Sequence, residues 1–218
     1  MTMRARREAL GALVVTALLV GLLVWWRWPS PDPVEPPAAT PVVPVAPAAE
    51  PARPDPCDRQ SARPFVPRTI TLPGVVRRAR VLAVPRDARG VLGVPPVATK
   101  DVVGWDLGGV RPGDPHGHVL LDAHTWPDGS ALGNALLRSL RRDGTILLRG
   151  VGGQRACYRV AKRVEVPVEA GYPGWERADG PPRVVIVVCS GRRLGPGHWT
   201  HRTLWFAEPV RPGAAPLS

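Results

Sequence analysis

From residue 65 onward, the sequence is a succession of short runs rich in β-branched and other apolar residues, separated by Pro, Gly and Asp. Such runs favour strands, and the residues between them favour turns. The runs are RTITL from Arg68, VVRRARVLAV from Val75, HVLLDAH from His118, TILLRG from Thr145, CYRVAKRVEVPV from Cys157, RVVIVVC from Arg183 and TLWFAEPV from Thr203. Their regular spacing predicts an all-β domain, either a barrel or a sandwich.

One segment of this region has a helical period instead. Residues 131–141, ALGNALLRSLR, place Leu132, Leu136 and Leu140 on one face, and Ser130 stands where an N-cap is expected. A glycine follows shortly after the segment, as is common beyond a helix end. The sequence therefore predicts one short helix beside the strands.

The N-terminus carries an uncharged apolar run of 18 residues, at 9–26, which follows Arg4, Arg6 and Arg7 and ends in a Trp-rich stretch. A helix of about 20 residues spans the bilayer, and flanking arginines hold its start in the cytoplasm. We therefore expect a cytoplasmic N-terminus at residues 1–8 and a single-pass signal anchor at 9–28. A cleaved signal peptide is the alternative, but WWRWPSP offers no small-x-small cleavage site.

Residues 29–64 are rich in Pro, Ala and Val and have no helical or strand period. Proline fixes φ and removes a backbone donor, so this segment is expected to form an extended, polyproline-like stalk. About 150 residues remain, which suits one domain. We place the catalytic domain at 65–212 and a short C-terminal tail at 213–218. The expected localisation is the cell membrane, with the domain on its outer side.

The net charge of +11 comes almost wholly from arginines, since Lys100 and Lys162 are the only lysines. The arginines are scattered rather than gathered with aromatics, which argues against nucleic-acid binding. The charge could instead attract anionic lipid headgroups or cell-wall polymers, or simply keep the surface solvated. Gly104, Gly108 and Gly109 lie among turn residues, so no nucleotide loop is expected.

Cys189 ends the most apolar of the predicted strands, and His124 ends another. Arg202 begins the run after the cysteine. A nucleophilic thiolate needs a basic or positive neighbour, and the oxyanion formed on acyl attack needs a donor. Cys, His and Arg together meet these needs.

The order of these residues resembles the sortases, and within them class F, which is frequent in actinobacteria. RTITLPG and LAVPRDARGVLGVPP resemble the opening strands of that class, DVVGWDLGGVRPGDPHGHVLLDAH its Val-Gly-Trp segment and His strand, and HRTLWFAEPV its closing Arg strand. The likeness covers about residues 65–210. It implies an eight-stranded β-barrel with one or two short helices and no cofactor or metal. It also implies cleavage of an LPXTG-like sorting signal after Thr, through a thioester, with transfer to an amine.

By this resemblance, Cys189 is the nucleophile, His124 the acid and base, and Arg202 the oxyanion donor. The partners implied are the sorting-signal peptide of a surface protein, a peptidoglycan precursor or other amine acceptor, and the membrane. The loop at 165–182 corresponds to the segment that grips the apolar end of the signal. The substrate-binding residues expected here are Val188, Val166, Val168, Tyr172, Trp175 and His198.

Two positions depart from the class. Val188 stands where the family usually has Thr beside the cysteine, and Asp122-Ala123 replaces Ala-Gly before the histidine. Because residues two apart on a strand share a face, Asp122 is a candidate to orient His124. Both departures leave open a catalytically weak or inactive barrel that only binds wall peptide.

Cys57 and Cys157 are free to pair in an oxidising compartment, which would leave Cys189 unpaired. The histidines near residues 116–118 and 198–201 lack the spacing of a zinc site. A peptidoglycan L,D-transpeptidase would show Ser-x-Gly-Cys-x-Arg, whereas this chain has Cys-Ser-Gly-Arg from residue 189.

Overall fold

A computed structural model describes residues 55–211. The signal anchor, the first part of the stalk and the C-terminal tail expected from the sequence lie outside these residues. The strands are β1 (Thr69–Leu72), β2 (Val76–Val84), β3 (Val102–Asp106), β4 (His118–Ala123), β5 (Thr145–Arg149), β6 (Arg155–Pro167), β7 (Arg183–Gly195) and β8 (His198–Pro209), with one helix, α1 (Leu132–Ser139), between β4 and β5. No helix within the described residues is long and apolar enough to cross a membrane.

The eight strands close into a barrel in the order β1-β2-β3-β4-β7-β8-β6-β5. Most neighbours are antiparallel, but β2 pairs with β3 and β4 pairs with β7 in parallel. Closure gives every strand two partners, so no sheet edge is left unpaired. The eight-stranded, nearly all-β architecture is as predicted, and of the two sequence alternatives the barrel is correct.

The alternation of side chains divides the central strands into two faces. Interior residues such as Leu121, Ile186 and Trp205 belong to the main core, which α1 closes with Leu136. The outer face of β4, β7 and β8 is also apolar and forms a second cluster under the β6–β7 loop, with members Leu120, Val185, Leu204 and Phe206. A sheet buried on both faces explains why RVVIVVC is continuously apolar rather than alternating.

Several element bounds differ from the sequence expectation. Gly104 lies within β3 rather than in a turn, because its missing side chain lets Asp122 of β4 approach. The strand β7 continues to Gly195, so Cys189 is inside a long hairpin rather than at a strand end. Ser130 does not cap α1, because Ala131 occupies the N-cap position; the hydroxyl of Ser130 donates to Asp128 instead.

The last residues before the barrel are attached to it. Cys57 forms a disulfide with Cys157 of β6. Gln60 accepts a hydrogen bond from the backbone N–H of Cys157, and the hydroxyl of Ser61 accepts one from the N–H of Arg155. The end of the segment expected to be stalk is therefore packed against the barrel.

Candidate active site

The cysteine and the arginine are direct neighbours across the β7–β8 hairpin. Cys189 and Arg202 are Cα partners in the ladder. On the other side of β7, Val188 pairs with Ala123, so His124 and Cys189, each one residue further on, continue the same parallel register. Strand alternation puts all three on the outer face, away from the main core. The three residues predicted from the sequence therefore lie at one level of three adjacent strands.

Two contacts fix the backbone around His124. The hydroxyl of Thr125 donates to the carbonyl of Cys189 at 2.7 Å, which joins the end of β4 to β7. The N–H of Gly133 donates to the carbonyl of His124 at 2.8 Å. A Cβ at residue 133 would lie 2.4 Å from that carbonyl oxygen, so only glycine lets α1 approach this closely. The helix thus positions the histidine.

The ring of His124 is held by the β2–β3 loop. Its Nε2 lies 2.7 Å from the carbonyl oxygen of Pro95, a buried residue. A carbonyl oxygen only accepts, so Nε2 must carry the proton in this bond. In the neutral ring, Nδ1 is then the acceptor. This contact keeps the ring in one orientation and one tautomer.

Burial raises the pKa of the Cys189 thiol above its ordinary value. The positive charge of Arg202 acts in the opposite direction, and the negative charge of Asp122 raises the pKa further. The thiol is therefore the main form at neutral pH in the free protein. Among the described residues, the charge of Arg202 favours the thiolate.

Asp122 is a buried carboxyl on the same face. It is only 6 % exposed, and an added Cβ at Gly104 would lie 2.0 Å from its Oδ1 and 3.0 Å from Cδ of Pro95. Burial raises the pKa of Asp122 to about 7. Within residues 55–211, no side chain donates a hydrogen bond to it, and the hydrogen bond of His124 goes to Pro95. The contact required for Asp122 to orient the histidine is not formed.

The close approach of Asp122 to Gly104 predicts that adding a side chain at residue 104 destabilises the protein. Gly104→Ala should lower the free energy of unfolding by about 1–3 kcal/mol, the usual cost of overpacking, because its Cβ meets the carboxyl of Asp122. Urea denaturation at pH 5, where Asp122 is protonated, measures this loss. A second substitution, Asp122→Ala, should restore much of it.

The matched control is Gly195→Ala, where an added Cβ meets nothing within 4 Å and φ is not in the left-handed region. This variant should unfold like the unsubstituted protein. Equal destabilisation by Gly104→Ala with and without the carboxyl of Asp122 would contradict the assigned contact.

Beyond the cysteine, the outer face continues as an apolar surface beneath the β6–β7 loop, here called the groove. Val166, which is the Cα partner of Arg202 on β6, contacts the outer cluster, as do Tyr172 and Trp175 of the β6–β7 loop. The ring of Tyr172 lies 5.2 Å from that of Phe206, and the carbonyl of Trp175 bonds to His118 at 2.8 Å. These three of the predicted binding residues therefore line one surface.

The other predicted binding residues are placed differently. Val168 is 41 % exposed at the start of the loop, and its N–H bonds to the carbonyl of Thr200. His198 is exposed at the tip of the β7–β8 hairpin. Val188 is 2 % exposed and belongs to the main core, so its side chain points away from the groove. The replacement of the family's usual Thr by Val188 therefore affects the packing of the barrel interior and not the groove.

The structure adds residues that sequence reasoning missed. Pro95 and Leu92 of the β2–β3 loop contact the site, the latter through the outer cluster. Arg86, at the start of the β2–β3 loop, bonds to Asp106 and to Glu176, both at 2.7 Å, and so ties that loop and β3 to the β6–β7 loop. A loop with neighbouring prolines has no period that predicts burial, so no signal in the sequence indicated the role of Pro95.

Solved structures show the same fold. Sortase A from Corynebacterium diphtheriae has 17% sequence identity and a TM-score of 0.51, with 68% of this chain and 62% of that chain covered. Sortase C1 from Streptococcus agalactiae has 16% identity and a TM-score of 0.50, with 65% and 66% covered. No protein-family model matches the sequence, and comparison with characterised protein sequences gives no match. At these identities the likeness establishes architecture alone: the described chain has a sortase-like β-barrel.

Proposed function

We propose that the protein is a class F sortase-type cysteine transpeptidase, anchored in the membrane and acting on its outer side. The ladder pairing of Cys189 with Arg202, at the level of His124 on the next strand, carries the proposal. It puts a nucleophile, a cation and a proton carrier beside an apolar groove. The sortase-like barrel supports the same reaction class.

In this reaction the groove binds the apolar part of an LPXTG-like signal, and Val166, Tyr172 and Trp175 supply its floor and wall. The Sγ of Cys189 attacks the Thr carbonyl carbon, and its proton passes to His124. Arg202 donates to the oxyanion, where preorganised donors are most effective. The C–N bond breaks as His124 gives its proton to the leaving amine, which leaves a thioester on Cys189.

An amine of a peptidoglycan precursor, or another amine acceptor, then attacks the thioester carbonyl. His124 takes the proton from the entering amine, and the thiol of Cys189 is restored. The product is an amide that joins the sorted protein to the acceptor. Because the carbonyl of Pro95 accepts from Nε2 in the free protein, the ring must either act through Nδ1 or leave that contact.

The test is cleavage of an LPXTG-like peptide by the full chain in a neutral detergent, with hydroxylamine to capture the thioester as a hydroxamate. Cys189→Ala and His124→Ala should be inactive. Arg202→Ala should lose about 10²–10³-fold in kcat, as is typical for an oxyanion donor. Arg193→Ala, an exposed residue of the same hairpin, is the matched control and should retain activity. Persistent cleavage by Cys189→Ala would rule out the mechanism.

A second candidate is a barrel that binds wall peptide with little or no turnover. The raised pKa of Cys189 and the bond between His124 and Pro95 both favour it, because each disfavours the reactive state. Retained peptide binding by the folded protein, with no hydroxamate from a broad peptide library, would favour this candidate.

A further inference from the structure

A large cavity lies at the end of the barrel opposite the cysteine. Its volume is about 910 Å³, and it includes Arg183, the first residue of β7, and Glu208, near the end of β8. Cys189 is six residues along β7 from Arg183, or about 20 Å at the strand rise of roughly 3.3 Å per residue. The cavity is therefore separate from the proposed catalytic groove.

The cavity is positively charged. Four arginines line it, namely Arg142, Arg159, Arg183 and Arg211, against two carboxylates, Asp143 and Glu208. The ladder sets Arg159 opposite Glu208, whose carboxylate pairs with Arg183 at 3.2 Å. Elsewhere in the described chain, no acceptor is bonded to the side chains of Arg142, Arg159 and Arg211. The guanidinium donors of these arginines are available to a ligand.

Arg183 adds a second observation. Its Nε is buried and has no hydrogen-bond partner within the described residues. A buried donor without a partner costs free energy, which a ligand oxygen at this position would offset. Pro181, Pro182 and Pro209 form part of the wall beside it and have little freedom to close the space. The cavity is thus open, rigid and short of acceptors.

The basic surface continues toward the point where the chain enters the barrel. A neighbouring cavity of about 430 Å³ shares Arg159 and Arg211 with the first, and adds Arg149 and the disulfide-bonded Cys57. The arginines therefore lie along the same end of the barrel as the disulfide that attaches the N-terminal segment.

We infer that this cavity binds a phosphate-bearing anion. Guanidinium groups bind phosphate oxygens through paired, charge-assisted hydrogen bonds, and several converging arginines suit a group with three or four acceptor oxygens. A single carboxylate would leave most of these donors unused. The phosphate comes either from an anionic lipid headgroup or from a soluble phosphate, and the two sources share this chemistry.

Calorimetric titration of the full chain in dodecyl maltoside at low ionic strength tests the site. The probes are monomeric dihexanoylphosphatidylglycerol and inorganic phosphate. Arg159→Gln/Arg183→Gln should bind at least about tenfold more weakly, because charge-assisted hydrogen bonds are lost. Arg142→Gln/Arg211→Gln should weaken binding in the same direction, and both of its residues are exposed, so its folding is not at risk.

The matched control is Arg77→Gln/Arg78→Gln, which removes the same charge from exposed residues of β2 outside the cavity. It should bind both probes as the unsubstituted protein does. Tighter binding of the lipid would identify a headgroup as the source, and tighter binding of inorganic phosphate a soluble anion; either supports the site. No binding of either probe, or equal weakening by the control, would overturn it.

Discussion

Loss of the disulfide between Cys57 and Cys157 is expected to be among the most destabilising changes available in this chain. The bond joins residues 100 apart. Cross-linking a loop of 100 residues removes chain entropy from the unfolded state worth about 4.7 kcal/mol at 25 °C. We therefore expect Cys57→Ala/Cys157→Ala to lower the free energy of unfolding by about this amount, which is a large part of the stability of a typical domain.

Urea denaturation of the variant, beside oxidised and reduced forms of the unsubstituted protein, measures the effect. Reduction breaks the bond but keeps both sulfur atoms, so the reduced protein separates chain closure from the loss of side-chain packing. Cys189→Ala has no part in the bond and serves as the control for a lost cysteine. A variant that unfolds within about 1 kcal/mol of the oxidised protein would contradict the expected loop-closure effect.

The same bond explains a limit of the sequence prediction. Residues 57–61 belong to a Pro-rich segment that has no period, so composition alone assigned them to the stalk. Their attachment depends on a disulfide and on hydrogen bonds of Gln60 and Ser61 to a strand nearly a hundred residues away. Long-range pairing of this kind leaves no local pattern in the sequence.

The strands were predictable where burial on one or both faces gave a clear pattern. RVVIVVC and HVLLDAH were assigned correctly because apolar and β-branched residues dominate them. The strand VVGWD was not predicted, because Gly104 looked like a turn residue. Gly104 is needed there because the side chain of Asp122 on the neighbouring strand lies against it, and no local sequence rule detects such a contact.

The sequence placed Cys189, His124 and Arg202 on or beside strands that the barrel makes neighbours, and this neighbourhood depends only on which runs are strands and on their order. The expected strand bounds were wrong, because β7 and β8 extend further and Cys189 and Arg202 lie inside their hairpin. The surroundings were not predictable: the proline carbonyl that holds the histidine comes from a loop whose path depends on tertiary packing. Likewise, the side on which Val188 lies follows from the face that Cys189 occupies, and this was not fixed before the barrel was known.

Asp122 is expected to make the protein less stable as the pH rises. Burial raises its pKa from the ordinary 3.8 to about 7 in the folded state. The folded protein therefore holds this proton more tightly than the unfolded chain does. Stability from the protonated carboxyl is complete below about pH 4 and is lost as the pH rises through about 7. At about 1.4 kcal/mol for each pH unit, the loss amounts to about 4 kcal/mol.

Asp122→Asn keeps the shape of the side chain but removes the titration. Urea denaturation at several values between pH 4 and pH 8 should show a fall of about 4 kcal/mol in the unsubstituted protein relative to Asp122→Asn. Asp101→Asn, which changes an exposed carboxylate just before β3, is the matched control and should follow the unsubstituted protein. Parallel pH profiles for the unsubstituted protein and Asp122→Asn would contradict the buried, proton-binding carboxyl.

The same variant should change the reactivity of the cysteine. Cys189, His124 and Arg202 lie about two residues further along the same face than Asp122, and the charge of Asp122 raises the pKa of the thiol. Its removal at pH 8 should lower that pKa, increase the thiolate fraction and speed alkylation of Cys189 by iodoacetamide. Below pH 6 residue 122 is uncharged in both proteins, as a protonated carboxyl in one and an amide in the other, so the two rates should converge. A rate difference that persists at low pH would mean that Asp122 acts on the cysteine through packing rather than through its charge.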